Sequence, residues 1–267
     1  MGNIGWINTE NYAFDCMLRM ERFQIRLMLE NLYGGAETAM AAALKANPKT
    51  AWLFAHKCPE MAERVKTLTE QAPENLTPNQ IRAAEIRVMD EFEDFVIYTT
   101  PEIMDEKCDF IYGWDKERLY EVCVLEGKTV LDVGSGTGRL AFAAAEKAAF
   151  VVASEPVDSL WEFMRDGTAG KGIRNMRVCD GLCHCLPFPD NSFDVVMSGH
   201  VVGDFFREEV DELTRIAKSG GWLLDIPGDQ RRETGKNEQL LADGWEELAY
   251  TGSFGKTTYR YRKQVWK

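Results

Sequence analysis

The stretch Val130-Leu131-Asp132-Val133-Gly134-Ser135-Gly136-Thr137-Gly138-Arg139-Leu140 decides the fold of this chain. An apolar run leads directly into a turn of alternating glycines, and the residues that follow have the composition of a helix. Because glycine has no Cβ, Gly134, Gly136 and Gly138 can adopt positive φ and let backbone amides approach a ligand at the start of that helix. The stretch therefore predicts a strand, a nucleotide-binding turn and a helix, in this order.

The spacing of the glycines separates two kinds of nucleotide site. A dinucleotide-binding turn has the pattern G-x-G-x-x-G, which requires glycine at position 139, where this chain carries Arg139. The observed pattern, D-x-G-x-G-x-G, therefore argues against a nicotinamide-dependent oxidoreductase. A tight turn with a purely structural role is the alternative for an isolated glycine-rich turn.

Further strand-like runs follow, and several lead into polar or glycine residues. They are Phe150–Ala153 before Ser154-Glu155-Pro156, Met176–Cys179 before Asp180-Gly181-Leu182, and Gly220–Pro227. The stretch Leu186–Met197 contains the fourth strand, which leads into Ser198-Gly199-His200. With a strand at 129–133 and helical segments at 137–147 and 157–166, they give the βαβ alternation of a parallel sheet. Because the carboxyl ends of parallel strands meet at one edge, we expect these residues to line one crevice.

On these motifs, residues 110–267 resemble the class I methyltransferases that depend on S-adenosylmethionine (SAM). The stretch LPFPDNSFDVV, which begins at Leu186, is similar to the branch that contains the ubiquinone and menaquinone biosynthetic methyltransferases. The resemblance implies an α/β fold with a doubly wound, mostly parallel seven-stranded sheet that ends in an antiparallel hairpin. Trp245–Thr251 and Thr257–Val265, on either side of a glycine-containing turn, fit that hairpin.

The resemblance also implies a function. It is the transfer of a methyl group from SAM to a small-molecule acceptor by in-line displacement, with release of S-adenosylhomocysteine (SAH). A non-catalytic regulatory protein that binds SAM or SAH is the alternative. It is suggested by an unusual cysteine-containing loop and by the lack of an acceptor motif of the N-P-P-Y type after the fourth strand. Ser198-Gly199-His200-Val201 occupy that position instead.

Site residues are carried over from the resemblance. Those at the methionine end of SAM are Asp132, Gly134, Gly136 and Gly138; Glu155 binds the ribose, and Asp180 and Gly181 face the adenine. Their neighbours Ser135, Pro156, Leu182 and Gly199 are counted with the cofactor site. A carboxylate after the second strand can accept both ribose hydroxyls. Asp132 has an alternative role, which is to hold the glycine turn together.

Two aromatic residues precede the first helix of this domain. Tyr112 and Trp114 lie in the segment Phe110-Ile111-Tyr112-Gly113-Trp114. The face of an aromatic ring attracts cations, so we predict that these rings cover the sulfonium of SAM. Packing between domains is an equal alternative.

The best candidate for a catalytic side chain is His200. A hydroxyl, thiol or protonated amine acceptor would be helped by a base, and the ordinary pKa of histidine, about 6.5, suits that task. A structural hydrogen bond in a turn is the alternative for His200. Methyl transfer from SAM requires no metal, and we predict none.

Cys179, Cys183, His184 and Cys185 form a dense group of soft ligands after the third strand. Zinc or a metalloid acceptor would suit such residues. However, the adjacent Cys183, His184 and Cys185 do not match the C-x2-C spacing of a zinc knuckle. Ordinary reduced cysteines in a loop beside the adenine are the favoured interpretation.

Composition excludes some partners and locations. A formal charge of −12 opposes binding to a phosphate backbone, so we expect no nucleic acid as partner. No apolar run approaches the roughly 18 to 20 residues of a membrane span, and the N-terminus lacks the pattern of a signal peptide. With seven cysteines, an odd number, the chain is expected to be a cytoplasmic protein with reduced thiols and no membrane partner.

Residues 1–109 are predicted to form a helical domain that caps the crevice on the acceptor side. The periodicity predicts one long helix from Asn8 or Thr9 to Asn31, stopped by Gly34-Gly35. Thr77-Pro78 and Thr100-Pro101 are typical starts of helices, and Pro48, Pro59 and Pro73 punctuate the segment. Met17, Met20 and Met28 suit a core, with a homodimer contact as the alternative.

Overall fold

The computed structural model describes residues 5–203 and 205–267. The chain divides into two compact units, one that ends at Thr100 and one that begins at Pro101. The helices Pro101–Lys107 and Asp109–Tyr112 therefore belong to the second unit, whereas the sequence placed the boundary after residue 109.

The first unit is helical, as predicted. Its α-helices are α1 (Arg22–Glu30), α2 (Gly35–Ala46), α3 (Pro48–Lys57), α4 (Ala62–Gln71), α5 (Pro78–Glu91) and α6 (Glu93–Tyr98). The start of α5 confirms the Thr77-Pro78 signal: the Thr77 hydroxyl accepts from the Gln80 amide, and the Gln80 side chain accepts from the Thr77 amide.

The single long helix predicted up to Asn31 is wrong. In its place the chain forms two 3-10 turns, Thr9–Asn11 and Phe14–Arg19, before α1 begins. The Thr9 hydroxyl bonds to Asp90 on α5 (2.5 Å) and caps no helix, and extended residues at Ala13 and Met20 interrupt the spiral. The predicted Gly34-Gly35 stop is wrong as well, because α1 ends at Glu30 and Gly34, with φ 55°, directly precedes α2.

The core of the first unit is built from residues between Phe14 and Val96. Met17, Met20 and Met28 are all fully buried in it. The predicted core role of these methionines is therefore confirmed, and they are not available as a contact surface for a second copy.

The second unit contains a seven-stranded sheet in the order β3-β2-β1-β4-β5-β7-β6, which confirms the predicted doubly wound fold. β7 runs antiparallel to β5 and pairs with β6 as the predicted hairpin, while β1 to β5 are parallel. The strands are β1 (Thr129–Val133), β2 (Phe150–Ser154), β3 (Met176–Cys179), β4 (Phe193–Ser198), β5 (Ala217–Asp225), β6 (Glu246–Thr251) and β7 (Thr257–Gln264).

Helices cover both faces of this sheet, and its core residues lie between Leu119 and Val265. The helices are α7 (Pro101–Lys107), α8 (Asp109–Tyr112), α9 (Glu117–Tyr120), α10 (Arg139–Ala145), α11 (Asp158–Gly170), α12 (Phe206–Ile216) and α13 (Glu238–Ala242). α7 begins at Pro101, as the Thr100-Pro101 pair predicted. None of the described helices is long and apolar enough to cross a bilayer.

Candidate cofactor site

The glycine turn connects β1 to α10 at the point where the strand order reverses, between β1 and β4. Its glycines all have positive φ: 62° at Gly134, 57° at Gly136 and 95° at Gly138. A Cβ at Gly134 would collide with the Val201 side chain, and one at Gly138 would lie 2.7 Å from the Phe142 ring. The turn therefore needs glycine both for its backbone angles and for close packing.

Several backbone amides of this turn are used within the protein. The amide of Ser135 donates to Ser154 O (3.1 Å), that of Gly138 to Ser135 O (2.8 Å), and that of Gly136 to the Glu155 carboxylate (2.8 Å). The expectation that amides throughout the turn close on a ligand is therefore wrong for these three. Their bonds fix the shape of the turn.

Glu155 braces the turn from the end of β2. Its buried carboxylate accepts from the Gly136 amide through Oε2 and from the Val157 amide through Oε1 (3.0 Å). Burial raises the pKa of Glu155 to about 7, although both amides act in the opposite direction. Each carboxylate oxygen has a second lone pair, so the predicted ribose role stays open beside this structural one. Pro156 follows and is half-buried.

Asp132 lies in β1 just before the turn and is almost fully buried. Its Oδ2 has no hydrogen-bond partner among the described residues. The Ser135 hydroxyl donates to the backbone carbonyl of Asp132 (2.9 Å) and so closes the turn. Burial raises the pKa of Asp132 to about 7, while the charge of Arg139 favours the carboxylate. An acceptor kept dry and unpaired costs stability.

Arg139, the first residue of α10, is the site residue that the sequence analysis missed. Its guanidinium donates through Nη2 to Ile226 O (2.6 Å) and lies 4.6 Å from the centre of the Trp114 ring. Its Nη1 is buried without a hydrogen-bond partner in the described part of the chain. Burial lowers the pKa of Arg139 to about 10, so the group stays cationic near neutral pH.

The absence of a side chain at Gly199 and Gly228 leaves room for the Arg139 guanidinium. A Cβ at Gly199 would lie 2.8 Å from Nη2 of Arg139, and one at Gly228 would lie 2.9 Å from Nη1. Gly199 follows β4 as predicted, and the structure shows that it makes room for this guanidinium. Asp225, the last residue of β5, accepts from the Ser198 hydroxyl (3.3 Å), and burial raises its pKa to about 7. Opposite charges therefore lie together at the ends of β1, β4 and β5.

The two predicted aromatic residues differ in their positions. Trp114 is half-buried, and the Arg139 guanidinium lies over its ring. The ring face therefore contacts a cation of the protein. Tyr112 is exposed, and its hydroxyl accepts from Arg231 Nε (3.1 Å) while its edge meets the Phe254 ring. Covering of the cofactor by Trp114 and Tyr112 stays a prediction.

His200 has φ 66° in the turn after β4 and is exposed. Its ring lies 4.8 Å from that of Phe110, and its Nε2 is 3.2 Å from Nε2 of Gln230. Desolvation by the surrounding groups, together with the charge of Arg139, lowers the pKa of His200 to about 4. A lowered pKa makes the imidazole a weaker base than an ordinary histidine, and the catalytic role of His200 stays a prediction.

The residues after β3 lie at the carboxyl end of the sheet, and their predicted contact with adenine stays a prediction. Gly181 is buried, with the Ser154 hydroxyl donating to its carbonyl (3.3 Å), whereas Asp180 is exposed and Leu182 half-buried. Burial raises the pKa values of the Cys179 and Cys183 thiols, which keeps them protonated. Among the described residues, no group of three or more His, Cys, Asp or Glu side chains is placed to hold a metal ion.

Comparisons with known proteins agree with this geometry. Residues 131–225 match the family described as "Methyltransferase domain". The chain is 31% identical over 97 residues to the uncharacterized methyltransferase YcgJ of Bacillus subtilis (36% of this chain, 38% of that protein). It is 30% identical over 117 residues to the ubiquinone/menaquinone biosynthesis C-methyltransferase UbiE of Francisella tularensis subsp. novicida (42% and 47%). The chain thus spans less than half the length of these relatives.

Among solved structures, the chain is similar to a SAM-dependent methyltransferase from Aquifex aeolicus. The two share 20% identity with a TM-score of 0.49, and the match covers 61% of this chain and 95% of the other.

The strand order, the glycine turn and the family match define the second unit as a class I, SAM-dependent methyltransferase domain. Within that class, its sequence is similar to the ubiquinone/menaquinone biosynthesis C-methyltransferases.

Proposed function

We propose that the whole protein transfers a methyl group from SAM to a small-molecule acceptor. The proposal is supported by the methyltransferase domain and by similarity to the ubiquinone/menaquinone biosynthesis C-methyltransferases. The observation that carries it is a pair of unsatisfied buried atoms of opposite character, Oδ2 of Asp132 and Nη1 of Arg139.

These two atoms fit the amino-acid end of SAM. That end is a zwitterion, with an ammonium that needs an acceptor and a carboxylate that needs a donor. Asp132 and Arg139 supply one of each in a buried setting, where charge-assisted hydrogen bonds are strong. The positive-φ glycines hold the turn in shape beside this pair, and Glu155 lies at the end of the neighbouring strand for the ribose.

When bound, SAM supplies a methyl group that is already activated by its sulfonium. The work left for this chain is to hold the cofactor, orient the acceptor and exclude water. Asp132 and Arg139 fix one end of the crevice, and Met104 packs against the turn, 3.0 Å from where a Cβ of Gly136 would be. We assign no general base, because the lowered pKa of His200 makes its imidazole a weak base and its Nε2 faces Gln230.

Calorimetric titration with SAH tests the proposal. Asp132→Asn and Arg139→Gln should each weaken SAH binding by about 30-fold, because each removes a charge-assisted hydrogen bond worth about 2 kcal/mol. Lys218→Gln is the matched control: it removes a charge from the start of β5, where Lys218 pairs with Asp194 (3.0 Å), and should leave the affinity unchanged. Melting temperatures show whether each variant is folded.

Transfer of labelled methyl from SAM to a panel of quinols, phenols and other small metabolites completes the test. Transfer to at least one compound supports the enzyme. SAH binding without any transfer would favour the regulatory alternative, and absence of SAH binding by the folded wild type would refute both.

A further inference from the structure

Two consecutive arginines, Arg231 and Arg232, lie in the loop that follows β5. In the part of the chain that the structure describes, neither forms an ion pair, and both are exposed. The other arginines beyond position 200 each pair with a carboxylate: they are Arg207, Arg215, Arg260 and Arg262. In a chain with a formal charge of −12, two adjacent unpaired cations are unusual.

Both side chains are nevertheless held in place. The guanidinium of Arg231 lies over the Phe254 ring (5.1 Å) and bonds to the Tyr112 hydroxyl, while its backbone amide donates to Asp109 (2.8 Å). Arg232 donates through Nε to Oε1 of the buried Gln230 (3.0 Å). Each guanidinium therefore has one donor engaged, and its Nη edge is left for an external acceptor. A fixed fork of this kind suits a carboxylate or phosphate.

The location of Arg232 connects it to the cofactor site. Gln230, which positions Arg232, also contacts His200 in the turn after β4 (3.2 Å). The charges of Arg139 and Arg232 both act on His200, against that of Asp109, so the two cations lie near this turn. In a doubly wound sheet, ligands lie at this edge, outside the carboxyl ends of the strands.

We infer that the methyl acceptor carries an oxyanion, a carboxylate or a phosphate, which Arg232 binds directly while Arg231 adds attraction beside it. The inference rests on the proposed function and narrows its substrate class. Local cations are needed for such an acceptor, because the negative charge of the whole chain repels anions at longer range. The exposed ring of Tyr112 and that of Phe254 offer surface for an apolar body attached to the anion.

Ligand-observed NMR titrations on the SAH-saturated protein test the inference. The probes are benzoate and phenyl phosphate, with benzyl alcohol as the neutral counterpart of similar shape. At least one anionic probe should bind about tenfold more tightly than benzyl alcohol. Arg232→Gln should abolish this difference, and Arg231→Gln should reduce it less. The relative affinity of the two anions tells a carboxylate site from a phosphate site.

Arg174→Gln is the control, because Arg174 is exposed and precedes β3 at the opposite end of the strands. It should keep the full preference for anions. Equal binding of charged and neutral probes, or a preference that survives Arg232→Gln, would overturn the inference. The same sample is first titrated with SAH, so a failure of the cofactor site is seen separately from a failure of the anion site.

Discussion

Aspartate side chains have opposite pKa shifts at the two ends of the parallel strands. At the amino end, Asp194 accepts from the Thr129 amide (2.9 Å) and from Lys218, and these bonds hold its pKa below the ordinary value although burial opposes them. At the carboxyl end, burial raises the pKa values of Asp132 and Asp225 to about 7. The carboxylate at the amino end thus has partners that stabilise its charge, whereas burial disfavours the charge of the two carboxylates at the carboxyl end.

This difference shows which end was shaped for stability and which for binding. An unsatisfied buried polar atom costs roughly 1 to 3 kcal/mol, and a bound ligand can remove that cost. Asp132 and Arg139 both contain one, and both lie beside the glycine turn. The contrast between the two ends can be tested with matched variants.

The largest effect is expected from an alanine in the glycine turn. Gly134→Ala places a Cβ at φ 62° against Val201, so we expect SAH affinity to fall about 100-fold and the free energy of unfolding to fall by about 2 kcal/mol. Gly220→Ala, at the amino end, has φ 80° with its nearest neighbour, the Trp266 ring, 3.8 Å away. It should lose about 1 kcal/mol of stability and keep full affinity. Calorimetry and thermal melts measure both quantities, and equal losses of affinity would contradict the contrast.

A smaller effect is expected from pH. Asp132, Glu155 and Asp225 have folded pKa values raised to about 7, so their contribution to stability is complete below their unfolded pKa values and is lost as pH rises through 7. The melting temperature without ligand should therefore decline between pH 5 and pH 8.

Two asparagine variants, one at each end of the sheet, should change the melting temperature in opposite directions. Asp132→Asn should raise the melting temperature at pH 8 by about 5 °C, because it removes a carboxylate that is costly to ionise. Asp194 has a lowered pKa, so its stabilisation is present above its unfolded pKa and is lost at lower pH. Asp194→Asn should therefore lower the melting temperature at pH 8. Differential scanning calorimetry measures the melting temperature of the transition that SAH shifts. A change in the same direction for both variants at pH 8 would contradict the assigned pKa shifts.

The smallest effect is expected at His200. Asparagine tolerates positive φ, so His200→Asn should keep the turn and lower kcat/KM only about threefold, without changing SAH affinity. Since the pKa of His200 is about 4, the rate of the wild type should show no step near pH 6.5. His184→Asn, in the loop after β3, is the control. A loss of 100-fold or more at His200 alone would restore it as the general base.

The fold could be predicted because its signals are local. Alternating apolar runs, the glycine turn and the Thr77-Pro78 start each depend on a few neighbouring residues, and the structure confirms them. The segment from Thr9 to Asn31 shows where this fails. Its apolar spacing fits one helix, but Thr9 bonds to Asp90, a partner 81 positions away that no local pattern reveals.

The site was predictable by position and less so by role. The sequence named Asp132, Gly134 and Glu155, and the structure places all three around the turn. That Glu155 binds the Gly136 amide depends on the packing of β2 beside β1. Arg139 was noticed only as a departure from the dinucleotide pattern, because the direction of its side chain is set by Ile226, 87 positions further along the chain.

The separation of the two hydrophobic cores has a consequence for how this protein evolves. Core residues of the helical unit lie between Phe14 and Val96, and those of the methyltransferase unit between Leu119 and Val265. Recombination near the Thr100–Pro101 bond would exchange one module and leave the interior of the other whole. Each unit therefore has an interior that a change of the other unit would leave in place.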